Sequence, residues 1–325
     1  MNLLVTGATG FVGRNLLLQA VHDGHRVYAP VRDAEKLKSQ ILSEDIDPKQ
    51  VVSLGVDPAS WPILSLDAAV LSAGVLFART FPEYLSTNVV WTQAILRALP
   101  KSCPVVILSS QSAGGPTPEG LLMRDEATAD DPITWYGESK LRMERAIRRK
   151  FPKRKAIFLR PPMILGARDA ATLPLFKMAG GALRPKPGLR TKSYSFIHVD
   201  DLVRAIFASI RSANALAGKT YYVSARDPIT DRQLIEGAGK ALGRGGFTLP
   251  LPQDMIKMLS LVVDAVPALR NATPSLTRDR AREIWKDRWV VDAARFEKDS
   301  GWEATRTLEE ALAEACAYYR RIRAL

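Results

Sequence analysis

A tyrosine and a lysine four residues apart, Tyr136 and Lys140 in WYGESK, are the first side chains whose types and spacing could do chemistry. On a helix, residues at this spacing share one face. A tyrosine has an ordinary pKa of about 10, and a nearby lysine cation lowers that pKa because it favours the phenolate. The pair therefore predicts a proton-transfer site in which Tyr136 is the acid and base.

Serines precede this pair, at the end of a predicted strand in ILSSQSAGG (107–115). Ser109, Ser110 and Ser112 would lie at the carboxyl edge of a parallel sheet, where ligands bind. A serine hydroxyl there would polarise a substrate carbonyl while Tyr136 donates the proton. Each serine could equally do no more than cap the strand and its turn.

Glycines open the chain, in TGATGFVG (6–13), directly after an apolar run. Gly7 would shape the turn from strand to helix, Gly10 would let phosphates approach, and Gly13 would let the helix pack on the strand. A helix N-terminus presents free N–H groups that suit a pyrophosphate. The pattern predicts a dinucleotide site, and the cofactor-binding residues expected in it also include Thr9, Phe11 and Val12.

The end of the second predicted strand indicates which dinucleotide is bound. An acid at this position would bind the ribose 2′-OH of NAD, whereas an arginine suits the 2′-phosphate of NADP. Here Val31 occupies the tip and Arg32 follows, with Lys36 close enough to assist. Asp33 is predicted to cap the next helix instead. NADP is therefore favoured over NAD.

These residues need a scaffold that brings strand ends together, and the first half of the chain alternates strands with helices. Such alternation indicates parallel strands with right-handed crossovers, hence an α/β, Rossmann-type doubly wound sheet. The predicted strands are 3–7, 25–31, 50–54, 66–74, 103–110 and 155–161, and the predicted helices are 11–24, 34–42, 87–99 and 134–150.

The alternation stops after about residue 160, where a segment rich in Pro and Gly leaves the sheet. A strand and a helix capped by Asp200 or Asp201 follow, and the rest is mostly helical. The predicted layout is a dinucleotide-binding domain at 1–165, with sheet returns near 194–225, and a smaller, mostly helical substrate lobe at 166–193 and 226–325.

The composition allows a sizeable core, since 46% of residues are hydrophobic, and the formal net charge is +12. This charge favours an anionic small-molecule partner or serves only as a solvated surface. The basic segment 142–155 has no series of aromatic residues interleaved with its cations, Phe151 being its single aromatic residue, so no nucleic-acid partner is predicted.

Cys103 and Cys316 show neither disulfide nor metal spacing, so no metal is expected and a reducing, cytoplasmic location is predicted. No membrane span is predicted. The most apolar stretch, 255–269, is broken by Lys257 and Asp264 and is more typical of a core or lid helix.

Taken together, the motifs resemble the extended short-chain dehydrogenases/reductases of the NAD-dependent epimerase/dehydratase superfamily. The matching segments, in order, are TGATGFVG (6–13), LSAG (71–74), TNVVWTQ (87–93), ILSSQSAGG (107–115), YGESK (136–140), LRPPMILG (159–166) and FIHVDDLVRAI (196–206). They cover about the first two-thirds of the chain.

This resemblance implies roles for individual residues. Tyr136 would be the catalytic acid/base, Lys140 would bind the nicotinamide ribose, and the catalytic serine aligns best with Ser110. Tyr136 and Lys140 are also expected to bind the cofactor, and further cofactor-binding residues implied in this way are Ala73, Gly74, Asn88 and Pro161. Arg160 starts the loop beside the nicotinamide. His198 and the Asp200–Asp201 pair are interpreted as structural.

Two positions depart from the family pattern. Leu54 stands where an aspartate often holds the adenine, and Asp57 is a weak substitute. The acid after the second strand is also missing, which favours the NADP-using reductases of the superfamily over its epimerases.

Three functions stay open on the sequence. The first is an NADP-dependent oxidoreductase acting on a carbonyl or secondary alcohol. The second is a nucleotide-sugar epimerase or dehydratase with retained NAD(P), which the cations of the 166–193 region would suit. The third is a non-catalytic dinucleotide-binding protein. The family's habit also suggests a homodimer through helices within 88–99 and 134–150.

Overall fold

The computed structural model describes residues 1–44, 46–62, 65–252, 258, 261 and 277–325. Its strands are β1 (Asn2–Thr6), β2 (Arg26–Pro30), β3 (Val51–Leu54), β4 (Ala68–Leu71), β5 (Val105–Leu108), β6 (Ala156–Arg160), β7 (Met163–Leu165), β8 (Leu183–Pro187), β9 (Ser193–Tyr194), β10 (Phe196–His198), β11 (Thr220–Tyr222), β12 (Ile229–Thr230), β13 (Phe247–Leu251) and β14 (Arg288–Trp289).

The helices connect these strands and cover the sheet. They are α1 (Phe11–His22), α2 (Ala34–Ser43), α3 (Phe81–Leu85), α4 (Thr92–Ala98), α5 (Gln111–Gly114), α6 (Trp135–Lys150), α7 (Leu173–Ala179), α8 (Val199–Arg211), α9 (Ala213–Leu216), α10 (Asp231–Leu242), α11 (Arg278–Ile284), α12 (Ala294–Ser300) and α13 (Leu308–Arg321). A π-helical turn, Ser86–Trp91, joins α3 to α4.

The centre of the fold is a seven-stranded sheet with the order β11-β6-β5-β4-β1-β2-β3, in which every pair is parallel. This confirms the predicted doubly wound α/β fold. The strand order reverses at β1, between β4 and β2. In such sheets ligands bind in the crevice at the carboxyl ends beside this reversal.

The sheet is buried on both faces, as its continuously apolar strands require. On one face α1, α2 and α8 contribute Leu16, Leu37 and Ile206 to one core cluster. On the other face α4 and α6 contribute Ile95 and Met143 to a second cluster. Helix α6, which carries Tyr136 and Lys140, is therefore packed against the sheet.

The later segments form small sheets and a helical layer beside the carboxyl edge. Within the described residues, β7 pairs with β10, β8 pairs with β13, and β9 lies between β12 and β14. Helices α7, α10 and α13 pack together around Phe176 and Tyr319. Near 194–225, β11 joins the large sheet, whereas β9 and β10 pair in the smaller ones.

Two expectations about helices have definite outcomes. The cap of α8 is His198, which accepts the Asp200 N–H at 3.0 Å, so the prediction of an aspartate cap is wrong. The apolar stretch 255–269 lies outside the described residues except for Met258 and Leu261. Among the described helices, none has the length and apolar character needed to cross a membrane.

Candidate active site

A cavity of about 700 Å³ lies at the carboxyl edge of the large sheet, over the strand reversal. Nine of the predicted cofactor-binding residues line it: Gly7, Thr9, Gly10, Phe11, Val12, Gly13, Arg32, Ala73 and Gly74. Its wall is completed by residues from the ends of β2 and β4, the turn after β3 and the π-helical turn: Pro30, Val31, Val56, Ser72, Val75, Leu76, Ser86, Thr87 and Trp91.

The glycine turn has the close packing that the sequence predicts. Gly7 has a φ of +72°, which a residue with a side chain rarely adopts. A Cβ atom placed on Gly13 would lie 2.1 Å from the Gly7 carbonyl oxygen, so helix α1 and the turn are in direct backbone contact. Gly10 is the N-cap of α1. These residues form a backbone cradle that fits the pyrophosphate of a dinucleotide.

At the end of β2, Val31 and Arg32 line the cavity, and Arg32 is exposed. Asp33 caps α2 by accepting the Lys36 N–H at 2.9 Å, as expected. One oxygen of its carboxylate is therefore engaged at the start of α2. Asp57 is likewise a cap, accepting the Ala59 N–H at 3.0 Å.

Asn88 supports the cavity wall from behind. Its side chain accepts the Val75 N–H at 2.9 Å and donates to the Ser139 hydroxyl at 2.9 Å. Asn88 is 1% exposed and is absent from the lining of the cavity. The residue predicted to touch the cofactor thus ties the loop after β4 to helix α6.

The predicted proton-transfer pair lies at the first turns of α6, and neither Tyr136 nor Lys140 is among the residues that line the cavity. Thr134 caps this helix, and Tyr136 is half-buried at its start. Burial raises the pKa of Tyr136, and a hydrogen bond with Ser110 opposes that rise. The net direction is upward, opposite to the lowering expected from the sequence. Ser110, the favoured serine, is the serine that acts on the pKa of the phenol.

Lys140 lies one helical turn further on and is almost fully buried. Its Nζ donates to the Leu108 carbonyl at 2.8 Å, and a Cβ atom on Gly74 would be 3.0 Å from that nitrogen. Burial lowers the pKa of Lys140 to about 8, against the opposing effect of the Glu144 charge. The Lys140 ammonium therefore lies next to Gly74, which lines the cavity.

The second-choice serines have other roles. Ser109 donates to the buried carboxylate of Glu144, and Ser112 donates its backbone N–H to Ser110 Oγ at 3.1 Å. Glu144 also accepts from Arg160, at 2.9 and 2.8 Å. This buried cluster holds β5, β6 and α6 together behind the site.

Arg160 and Pro161 are both buried and do not line the cavity. Arg160 also bonds Asp130 at 2.6 Å and is almost fully buried. Pro161 is buried, accepts the Gln111 N–H at 2.9 Å, and is absent from the cavity lining.

His198, Asp200 and Asp201, which are interpreted as structural from the sequence, make contacts with other segments of the chain. His198 contacts Glu314 at 3.0 Å as well as capping α8, and Asp201 is fully buried, where it accepts the Arg306 N–H. His198, Asp200 and Glu314 have the proximity of metal ligands, but the Arg306 guanidinium contacts both acids and supplies the balancing charge.

The cations of the 166–193 region mostly turn inward. Arg168 bonds Glu44, Arg184 the Arg244 carbonyl, Lys186 the Asp231 carboxylate, and Lys192 the Ile284 carbonyl. The expectation that these four face a substrate is therefore wrong, because internal acceptors already bind them. Lys177 and Arg190 are exposed.

Three residues of α11 adjoin the site and were missed from the sequence. Asp279 accepts the Trp135 N–H at 3.2 Å, Glu283 accepts the Thr134 hydroxyl at 3.0 Å, and Arg280 lies over the Tyr136 ring. They belong to no motif, and more than a hundred residues separate them from their partners. Only the tertiary contact reveals them.

Fold and site together define a nicotinamide-dinucleotide enzyme class, and comparison with known proteins identifies the family. Residues 3–224 match the NAD dependent epimerase/dehydratase family, so the chain belongs to that family. The family and the relatives named below support the conclusion that this chain is an enzyme and that its cofactor is a nicotinamide dinucleotide.

Individual relatives are distant but nearly full-length. Ceramide reductase of Caulobacter vibrioides is 27% identical over 292 residues, covering 89% of this chain and 86% of that protein. UDP-glucuronic acid 4-epimerase from Bacillus cereus in complex with NAD has a TM-score of 0.75 at 17% identity, with 99% of both chains covered. RMD from Pseudomonas aeruginosa complexed with NADPH has a TM-score of 0.70 at 19% identity, again with 99% of both covered. The two structures share the fold.

Proposed function

We propose that this protein is an NADP(H)-dependent oxidoreductase that acts on a carbonyl or secondary alcohol. The observation that carries the proposal is the buried Lys140 ammonium against Gly74 of the glycine-lined cavity, one helical turn after Tyr136 on the same helix. When bound, the dinucleotide would supply or accept the hydride. The residues that would hold it are the glycine turn, Arg32, Ala73 and Gly74.

The chain's own residues would handle the proton and the orientation of the substrate. The Ser110 hydroxyl would hold the substrate oxygen beside the Tyr136 phenol, which donates the proton in reduction and accepts it in oxidation. Lys140 would keep a positive charge near the developing phenolate. Since the pKa of Lys140 is lowered to about 8, this charge would be lost progressively above that pH.

The preference for NADP over NAD rests on the end of β2. Arg32 is exposed at the cavity, and the nearest acid, Asp33, is engaged as a helix cap. A guanidinium suits a phosphate both in charge and in geometry. No acid of β2 is available there to bind a ribose 2′-hydroxyl.

The site gives less support to a nucleotide-sugar epimerase or dehydratase. A sugar diphosphate would need cations in the substrate region, and four of those expected there have internal acceptors. The similarity to a protein named ceramide reductase is instead a reason to include carbonyl compounds with long apolar chains in a substrate screen. A cytoplasmic location and a homodimer stay predictions, and light scattering tests the latter.

The test compares the purified chain with Tyr136→Phe on a panel of ketones and secondary alcohols, with NADPH or NADP⁺. We expect turnover to fall by roughly 100- to 10,000-fold in the variant, because acid–base catalysis contributes about that much. NADPH affinity should stay within about twofold, because the substitution removes only the phenolic oxygen. Full turnover in Tyr136→Phe would refute the proposed role.

A further inference from the structure

The C-terminal part of the chain reaches the start of the catalytic helix through the short helix α11. Asp279 and Glu283 bind the Trp135 N–H and the Thr134 hydroxyl, and Thr134 is the N-cap of α6. These partners are 144 and 149 residues apart in sequence. Helix α11 therefore fixes the first turn of the helix that carries Tyr136.

Arg280, between those two acids, lies against the aromatic side chains of the site. Its guanidinium carbon is 5.3 Å from the centre of the Tyr136 ring and 5.5 Å from that of Phe77. Glu283 holds it through two contacts of 3.0 Å, from Nη1 to Oε1 and from Nη2 to Oε2. The side chains of Arg280 and Glu283 are only 14% and 19% exposed, so water screens the charges weakly.

We propose that Arg280, clamped by Glu283, is a positioning residue for Tyr136 that fixes the phenol ring and stabilises its anionic form. This inference rests on the acid–base function proposed for Tyr136. A guanidinium is attracted to the face of a tyrosine ring, and Coulomb attraction is added once the phenol loses its proton. Because arginine keeps its charge throughout the working pH range, the effect is always present.

Groups from several elements face the phenol, and their charges oppose one another. Burial raises the pKa of Tyr136 most, the Ser110 hydrogen bond and the Arg280 charge lower it, and Glu283 and Tyr84 raise it. The Tyr84 ring, on α3, is 6.4 Å from the Tyr136 ring. The ammonium of Lys140, which shares α6 with Tyr136, is bonded to the Leu108 carbonyl. Arg280 is thus the arginine that opposes the effect of burial.

This opposition gives a signature that a purely mechanical clamp would lack. Arg280→Met removes the cation and leaves the Glu283 carboxylate near the phenol, so the pKa of Tyr136 should rise. Glu283→Gln removes the anion and leaves the guanidinium uncompensated, so the pKa of Tyr136 should fall. If the pair acted only as a mechanical clamp, the two variants would shift the pKa of Tyr136 in the same direction or leave it unchanged.

The experiment follows this ionisation by NMR in the ligand-free full chain, labelled with carbon-13 at tyrosine Cζ. Tyr136→Phe identifies the Tyr136 resonance among the eight tyrosines. We expect the midpoint of its titration to move up in Arg280→Met and down in Glu283→Gln. Arg282→Met, an exposed arginine on the same helix, is the matched control and should leave it unchanged.

An unchanged midpoint in Arg280→Met, or shifts of the same sign in both variants, would overturn the proposal. If Arg280→Met does not fold, Glu283→Gln decides alone: a fall supports the proposal, and a rise or no change refutes it. Because this readout needs neither substrate nor cofactor, it stays valid even if Tyr136→Phe retains turnover.

A kinetic readout separates the two proposals further. On a substrate whose turnover depends on Tyr136, Arg280→Met should lower kcat/KM for alcohol oxidation by at least roughly two- to fivefold at neutral pH, the lower end of what a cation–π contact contributes. The loss should shrink as pH rises, since the phenolate then forms without help. A loss independent of pH would contradict the assigned role.

Discussion

The proposed site has two ends, the glycine-lined cavity and the cluster of side chains around Tyr136, and they are built from different parts of the chain. The glycine end is backbone: Gly7, Gly10 and Gly13 lie within seven consecutive residues, and their lack of Cβ atoms shapes the turn. The end proposed to be catalytic consists of side chains from distant segments, with Ser110, Tyr136 and Arg280 brought together by the sheet edge, α6 and α11. The first depends on local geometry and the second on tertiary packing.

Because of this difference, substitutions at the two ends should have different effects on stability and cofactor affinity. A change in the glycine turn alters the shape of the cradle directly and should leave the catalytic wall intact. A change behind the wall acts on its support, because the buried cluster around Glu144 joins β5, β6 and α6. Stability should therefore be most sensitive behind the wall, and cofactor affinity at the cradle.

The largest effect on stability is expected from Glu144→Ala. Glu144 is fully buried and accepts two hydrogen bonds from Arg160. Its removal leaves Arg160 with only part of its compensating charge, and breaking such a buried pair costs about 3–5 kcal/mol. Urea unfolding should show this decrease in the free energy of unfolding, while NADPH affinity of the folded protein stays unchanged.

Glu138→Ala is the matched control on the same helix. Glu138 pairs with Arg142 at 2.6 Å, but their side chains are 32% and 51% exposed. A pair of this kind contributes about 0.5 kcal/mol or less. Equal losses for Glu138→Ala and Glu144→Ala would show that the buried cluster does not hold the wall.

The same contrast explains what the sequence could and could not predict. The glycine turn, the alternation of strands and helices, and the Tyr136–Lys140 spacing are local patterns, and each predicts its own element. The inward turn of Arg168 and Lys186 depends on Glu44 and Asp231, far away in the chain. Such pairings leave no local signal, so these cations could be misread as a substrate-facing set.

The next effect in size is expected at the cradle, from Gly13→Ala. The new Cβ atom would lie 2.1 Å from the Gly7 carbonyl oxygen, so α1 must move away from the turn. Overpacking of this kind costs about 1–3 kcal/mol, and the displaced helix N-terminus should also weaken NADPH binding. Thermal unfolding and calorimetric titration measure the two losses.

Gly245→Ala is the control for Gly13→Ala, because a Cβ atom there meets no atom within 4 Å. It should change neither stability nor affinity appreciably. If Gly13→Ala lowers stability but leaves NADPH affinity unchanged, the cradle is not the site of the dinucleotide. That result would break the comparison between the two ends.

The smallest effect, and the one that distinguishes the cofactors, is expected from Arg32→Ala. Arg32 is exposed at the cavity, so a contact with a 2′-phosphate would be partly screened by water. Loss of one charge-assisted contact should weaken NADPH binding by roughly tenfold and leave NADH binding unchanged, since NADH lacks that phosphate. Parallel fluorescence titrations with NADPH and NADH measure both.

Lys38→Ala removes an equally exposed positive charge from the neighbouring helix α2 and controls for the general field of this basic protein. It should change the affinity for NADPH and for NADH by no more than about twofold, because exposed charges at a distance are screened. Tighter binding of NADH by the unmodified chain, or equal losses of NADH and NADPH affinity in Arg32→Ala, would contradict the assignment of NADP. A cofactor that stays bound through purification would instead favour the retained-cofactor chemistry of an epimerase, because such an enzyme oxidises and reduces its substrate within one cycle.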